Sequence, residues 1–322
     1  MINDIITLFP DKHQQYLLST LSQNWDELEE IRVRIDRPLE LVLKTKFLIL
    51  DKLILTAADG QYILNKLSDF SRYKFEEELR KGYITIAGGH RVGIVGRTVL
   101  ESGSIKQIQA ISSYNIRIAR EKIGVANAII KFLLRGNNYA NTLIIGPPQS
   151  GKTTLLRDLA RLIGTGWGQV PAIKVGIIDE RSEIAGSKGG IPHYNVGLRT
   201  DILDSCPKSE GMILMIRSMS PEMLIVDEIG SRHDISAIQE AIRSGVNLIC
   251  SLHSDSYKST KKRRQFAQLI EEQYFERYLV LDRNKRITVL NQEGREISMN
   301  RGMYDELDWG NSLNDSHLLN RM

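Results

Sequence analysis

The sequence predicts an α/β protein in which a parallel sheet, covered on both faces, follows a smaller α+β domain. Three observations lead there. Four short, nearly unbroken apolar runs, "NTLIIG", "AIKVGIID", "MLIVDEIG" and "VNLICSLH", are separated by stretches of helical spacing between residues 141 and 253. Strands buried on both faces read in this way. Before residue 122 apolar and charged residues alternate instead, the mark of strands with one wet face. Between the first apolar run and an amphipathic helix stands a glycine-bounded turn, Gly146 to Thr153.

Composition sets the outer limits. Of 322 residues, 42% are hydrophobic and 25% charged, with a formal net charge of +4. That is the balance of a folded protein, with no case for disorder. So small a positive charge does not in itself call for nucleic acid. Two cysteines, Cys206 and Cys250, lie far apart and outside any CxxC spacing, so they make no metal site, and a reducing compartment fits. The start, "MINDIITLFPDKHQQYLLSTL", lacks the basic opening and apolar centre of a signal peptide. No apolar run reaches the roughly 18 residues a membrane span needs. Work at a membrane would be done from the cytoplasmic side, through a partner.

Taken in order, residues 1–21 read as an amphipathic helix interrupted at Pro10. "LEEIRVRIDRPLELVL" (28–43) is a hairpin pattern about a turn at Asp36–Pro38, and "FLILDKLILT" continues in strand fashion. Helical spacing over 60–81 offers Ile63, Leu64, Leu67, Phe70, Phe75 and Leu79 to a core. "GYITIAGGHRVGIVGRTVL" and "SSYNIRIARE", rich in β-branched residues and glycine, read as strands with tight turns. "VANAIIKFLLRG" (125–136) has helical spacing, and the style of the sequence changes just after it. The expected division is 1–124, an N-terminal α+β domain; 125–277, the parallel α/β domain; and 278–322, a hairpin turning near Arg283–Lys285 with a polar tail.

The glycine-bounded turn satisfies G-x-x-x-x-G-K-[ST] through Gly146, Gly151, Lys152 and Thr153, in the strand-to-helix setting the motif requires. Its residues, Gly146, Pro147, Pro148, Gln149, Ser150, Gly151, Lys152, Thr153 and Thr154, are the expected cradle for the phosphates of ATP. Backbone N–H groups and the helix N-terminus would face phosphate oxygens. Lys152 would reach the β and γ phosphates, and the Thr153 hydroxyl would ligate Mg²⁺. "PEMLIVDEIG" runs a buried strand into Asp227 and Glu228 at its C-terminal end, where parallel sheets bind ligands. There Asp227 could hold the metal and Glu228 orient or deprotonate water. "VGIIDERSEIAG" ends likewise in Asp179, Glu180 and Glu183, either an active-site cluster or an ordinary turn paired with Arg181. His253, at the tip of the next strand, could donate to a phosphate oxygen and report its presence.

These pieces together resemble the secretion ATPase superfamily, the hexameric motors of type II and type IV secretion and of pilus retraction. That family follows its P-loop with an acidic box, I-E-D-P-x-E, then a strand with an essential Glu, then a histidine box, S-T-L-H-x-x-S. Here "IDERSE" (178–183), Glu228 and "SGVNLICSLHSDS" (244–256) fall in that order. Asp227 stands where those motors commonly have glycine, and Arg217 lies one residue from the expected arginine. Within the superfamily the stretches "EEIRVRIDRPLEL", "GGHRVGIVGRTVLESGSIKQIQAISSYNIRIARE" and "IIDERSEIAGS" resemble the stage III sporulation AA family of endospore formers. The resemblance implies a RecA-like P-loop ATPase domain, Mg²⁺-dependent hydrolysis with Glu228, Glu183 and His253 as catalytic residues, and metal held by Thr153, Asp227 and Glu180. It also implies phosphate-contacting arginines in the N-terminal domain, with Arg97 and Arg117 foremost, and Arg91 and Arg120 as further candidates. By the same resemblance the chain forms a homo-hexamer in the mother-cell cytoplasm, at the inner face of a membrane. It would energise a channel to the forespore together with membrane proteins of that complex. The rival readings are a nucleic-acid motor or loader, suggested by "KSTKKRRQ" (258–265), and a slow nucleotide-binding switch.

Overall fold

The computed structural model describes residues 2–68, 83–101, 104–136, 138–187 and 189–297. The chain divides into two compact units, residues 1–121 with 185–194, and residues 122–184 with 195–322.

The first unit opens with α1 (Ile2–Ile6) and α2 (Asp11–Asn24), separated by Pro10, which stands at the N-cap of α2. Its sheet contains β1 (Leu28–Arg34), β2 (Pro38–Leu43), β3 (Phe47–Ile54), β4 (Tyr83–Thr85), β5 (Arg91–Glu101) and β6 (Ser104–Arg117), in the order β3-β2-β1-β6-β5-β4. Every pairing is antiparallel. Asp36 takes φ 59° in the turn between β1 and β2, as an Asp tolerates better than most residues. Along β1, Ile31 and Val33 are buried while Arg32 and Arg34 take the other face, the consequence of a two-residue side-chain period. The buried face joins Phe9, Leu17 and Leu21 in one core. The expected helix over 60–81 begins early, as α3 (Ala57–Ser68), with Ile63 and Leu67 buried; Phe70, Phe75 and Leu79 lie outside the described residues. Tyr114 Oη donates to Gly60 O at 2.8 Å and fixes α3 to β6.

Residues 185–194 belong to this unit too. The N–H groups of His193 and Tyr194 both donate to Ala185 O at 3.1 Å, closing the segment into a loop. Gly89 takes φ +72°, and a Cβ there would come within 2.6 Å of Tyr194 Oη, so both backbone and space require glycine.

In the second unit, β7 (Leu134–Arg135) and β8 (Asn138–Tyr139) form a small ladder. The main sheet contains β9 (Thr142–Gly146), β10 (Val175–Asp179), β11 (Thr200–Asp204), β12 (Met223–Val226), β13 (Asn247–His253), β14 (Arg277–Leu281) and β15 (Ile287–Leu290). The order is β11-β10-β12-β13-β9-β14-β15. All neighbours run parallel except β14 and β15. The helices are α4 (Lys152–Thr165), α5 (Lys208–Met219), α6 (Arg232–Arg243), α7 (Tyr257–Lys261) and α8 (Arg264–Glu271). Every residue of β9, β10 and β12 is buried, which explains their unbroken apolar runs.

Two expectations change. No α-helix spans 125–136: the chain turns through a short 3₁₀ segment, Ile130–Leu133. Ala126, Ile129, Ile130 and Leu133 are nonetheless all buried, so successive turns meet the spacing that suggested a helix. The Ala126 N–H is taken by Asp158 Oδ2 at 2.8 Å, outside any helical ladder. The hairpin read as a separate C-terminal piece is β14 and β15, and β14 lies in the main sheet beside β9.

His90 is fully buried in the first unit, and its Nδ1 accepts the Ala119 N–H at 2.9 Å. Burial pushes its pKa from 6.5 down to about 4. A group whose folded pKa is depressed in this way binds its proton more readily when unfolded. Stability is therefore complete above pH 6.5 and is expected to fall as pH drops toward 4, by up to about 3 kcal/mol. Urea unfolding followed across that window checks this. The His90→Asn variant, which keeps an acceptor for Ala119, should lose the dependence.

Candidate active site

Register brings the functional residues to one edge of the main sheet. His253 pairs with Gly146, Val226 with both Ile178 and Cys250. The tips of β9, β10, β12 and β13 therefore end together, carrying Gly146, Asp179, Asp227 and His253. This is the carboxyl edge where parallel sheets take their ligands.

The loop from β9 to α4 turns through Gln149 at φ 63° and Gly151 at φ 98°. A Cβ on Gly151 would meet no atom within 4 Å, so it is the positive φ alone that calls for glycine there. Lys152, only 4% exposed, donates through Nζ to Gly146 O at 3.0 Å and Pro147 O at 2.9 Å, and lies 3.0 Å from His253 Nδ1. Burial lowers its pKa, opposed by the nearby Asp227 and Glu228 charges. The buried Ser150 hydroxyl has no hydrogen-bond partner among the described residues. A donor-rich loop with an orphaned hydroxyl and a lysine bonded to its own carbonyls fits a phosphate chain.

Thr153 Oγ1 donates to Asp227 Oδ2 at 2.6 Å, and Ser251 Oγ donates to Asp227 Oδ1. Burial raises the Asp227 pKa, the Ser251 and Thr153 bonds oppose it, and the Glu228 and Glu183 charges add to it. Thr153 and Asp227 are thus joined, and both offer oxygens of the kind Mg²⁺ takes. Glu180 lines the same recess, with Asp179, Glu183, Asp227 and Glu228, but its carboxylate is paired with Lys208. Among the described residues no three acidic, histidine or cysteine side chains are grouped to hold a metal ion.

Glu228 takes φ 53°, a strained conformation for a residue with a side chain. It is pinned there by its N–H to Ser251 Oγ at 2.9 Å and by Ile229 N–H to Ser251 O at 2.8 Å. Its Oε1 lies 2.7 Å from His253 Nε2, and its Oε2 accepts from Arg181 Nη1 at 2.8 Å. Lysine only donates, so His253 Nδ1 accepts and Nε2 carries the hydrogen toward Glu228. The neutral imidazole satisfies both contacts. Glu183 offers its backbone: its N–H donates to Asp179 Oδ1 at 2.8 Å and its carbonyl accepts from Arg157 Nη2 at 2.7 Å.

The arginines of the first unit divide. Arg117 Nε lies 3.7 Å from Glu30 Oε1, and Arg117 shares a cavity of about 360 Å³ with Arg32, Arg34, Ser113 and Asn115. Arg97 lies farther along β5, opposite Gln109, outside that lining. Arg120 donates to the carbonyls of Trp25 and Leu28 and lies over the Trp25 ring, so it ties this unit together. Arg91 lies over Tyr83, 4.9 Å from the ring centroid. Sequence reasoning overlooked Arg32 and Arg34, although "RVR" alternation places both on the wet face of β1. It also overlooked the bridging hydroxyl of Ser251, hidden inside an apolar run. In the basic run after His253, Arg263 donates to His253 O at 2.7 Å, and its neighbours Lys261, Lys262 and Arg264 are exposed.

Replacing Ser251 with alanine leaves the Glu228 N–H without its acceptor and Asp227 without a donor. A loss of about 1–3 kcal/mol in denaturant unfolding is expected. The isosteric Ser251→Cys variant should recover less than Ser251→Thr if the hydroxyl is what matters.

Comparison with known proteins agrees with this architecture. The family model described as sporulation stage III, protein AA, matches residues 3–304. The stage III sporulation protein AA of Bacillus subtilis is 48% identical over 306 residues, covering 94% of this chain and 99% of that protein. Among solved structures, the Legionella pneumophila ATPase DotB aligns with a TM-score of 0.56 at 13% identity, over 90% of this chain and 79% of its own. The pilus retraction motor PilT with bound ADP aligns with a TM-score of 0.57 at 14% identity, over 82% and 77%. At those identities the likeness shows a shared fold, a RecA-like domain preceded by a smaller α+β domain. The match of the family model across nearly the whole chain shows that it belongs to the stage III sporulation protein AA family.

Proposed function

We propose that the chain hydrolyses ATP with Mg²⁺ and uses the energy to drive a secretion-type channel during endospore formation. The observation that carries the reading is the linked series Lys152, His253 and Glu228 beside the Thr153–Asp227 pair. In P-loop hydrolysis the protein mainly positions groups and neutralises charge. Lys152 is held ready for β and γ phosphate oxygens. Thr153 and Asp227 would hold Mg²⁺, whose charge supports phosphate leaving. Glu228 accepts the proton of the attacking water at its carboxylate. Because His253 touches both Lys152 and Glu228, a lysine drawn to phosphate leaves Nδ1 without its donor, and the change reaches the base through one ring. Glu183 and Glu180 shape the acidic side of the recess.

By the resemblance, guanidiniums of the first unit would supply further positive charge, Arg97 and Arg117 foremost; within that unit Arg117 lines one cavity with Arg32 and Arg34. Arginines brought to a transferring phosphoryl group raise turnover by about 10³–10⁵. The resemblance favours a homo-hexameric ring in the mother cell, peripheral to a membrane and held by membrane proteins of the channel. No helix among the described residues is long and apolar enough to cross a membrane. Tight, salt-sensitive DNA binding in a filter titration would favour the nucleic-acid rival instead.

Phosphate release by the purified chain tests the reading. Lys152→Ala is expected to bring turnover to background and His253→Ala to lower it about tenfold or more. Turnover per chain should rise with concentration as assembly, followed by mass measurement, proceeds. Wild-type turnover in Lys152→Ala would overturn the placement of phosphate.

A further inference from the structure

The base proposed above is held by a residue the hydrolytic scheme does not use. Glu228 Oε2 accepts from Arg181 Nη1 at 2.8 Å, while His253 takes Oε1. Arg181 is 59% exposed at its side chain, and an ion pair so open to water contributes little to stability. Its mounting is firm nonetheless. The turn that carries it is closed by Glu183 N–H to Asp179 Oδ1 at 2.8 Å, by Ser182 Oγ to Asp204, and by Arg157 to the carbonyls of Glu183 and Ile184. Ser182 takes φ 53° in the same turn, a conformation retained when its surroundings over-determine it. Glu180, just before Arg181, is anchored by Lys208.

A guanidinium on a fixed turn thus meets a carboxylate on a strained, fixed backbone. We propose that Arg181 is a positioning residue: it holds the Glu228 carboxylate in the one orientation from which it can take the proton of the attacking water. His253 alone fixes one oxygen and leaves the carboxylate free to rotate. With Arg181 both oxygens are set, each still having a lone pair to accept a proton. The inference rests on the ATPase reading and assigns a second support to its base.

The test uses the full chain in Arg181→Ala, Arg181→Lys, Glu228→Gln and the double variant Arg181→Ala with Glu228→Gln. Turnover is measured alongside equilibrium binding of fluorescent ADP and a non-hydrolysable ATP analogue. Arg181→Ala is expected to lower kcat about tenfold, with KM and both affinities within about twofold of wild type. Arg181→Lys should recover most of kcat. On the Glu228→Gln background, removing Arg181 should cost nothing more, since it acts through that carboxylate. Should Glu228→Gln fall below detection, the split between kcat and KM together with the lysine rescue decides. Three results would overturn the proposal: independent, multiplying losses in the double variant; weakened analogue binding with ADP unaffected, which would put Arg181 on the γ phosphate; or unchanged or raised kcat in Arg181→Ala. A wild-type chain without turnover, or a Glu228→Gln chain with full turnover, would overturn the ATPase reading itself.

Discussion

A half-buried carboxylate, that of Asp227, organises the site. A charge taken out of water must be paired or hydrogen-bonded, and Asp227 meets that need through Thr153 at the start of α4 and Ser251 within β13. Those two bonds join three successive pieces of the sheet edge. Ser251 then passes the constraint on, because the same hydroxyl accepts the Glu228 N–H. The strained backbone of Glu228 goes with this arrangement: its N–H is held by Ser251 within β13, while its side chain reaches His253 at the tip of the same strand and Arg181.

The buried cation completes the arrangement. Lys152 cannot remain charged inside the loop without acceptors, and it finds them in the carbonyls of Gly146 and Pro147 and in the His253 ring. A lysine satisfied by neutral carbonyls has much to gain from phosphate oxygens, whose negative charge adds Coulombic attraction to the hydrogen bond. Exchange of partners at Lys152 therefore changes the hydrogen bonding of His253 and, one ring away, of Glu228. Coupling of this kind needs no movement of the sheet.

Most of the second unit was legible in the sequence because a parallel sheet writes each strand as an unbroken apolar run, and because the phosphate loop demands particular residues at fixed spacing. β11 escaped because "TDILD" is half-exposed and carries no such run. Residues 125–136 misled because apolar spacing records which residues are buried and is silent on how backbone N–H groups are satisfied; there Asp158 claims one of them. In the site, Lys152, Thr153, Asp227, Glu228 and His253 were each visible at a strand tip or in the loop. Ser251, Arg181 as a partner of Glu228, and Lys208 as the partner of Glu180 were not, since long-range pairings depend on register. Arg120 was read as a phosphate candidate from its motif, whereas the Trp25 and Leu28 carbonyls engage it.

Stability and chemistry fall to different residues. The sheet is held by apolar side chains such as Ile144, Ile177, Leu224 and Leu248, all fully out of water, each contributing on the order of 1.5–3 kcal/mol through burial. The contacts that hold Glu228 lie at the accessible rim, where even an ion pair is worth at most about 1 kcal/mol. Their presence is hard to explain as structural reinforcement. They are better explained by orientation, because a carboxylate that must meet a water molecule in line with a phosphoryl group gains from a fixed rotamer even when the folded state gains almost nothing.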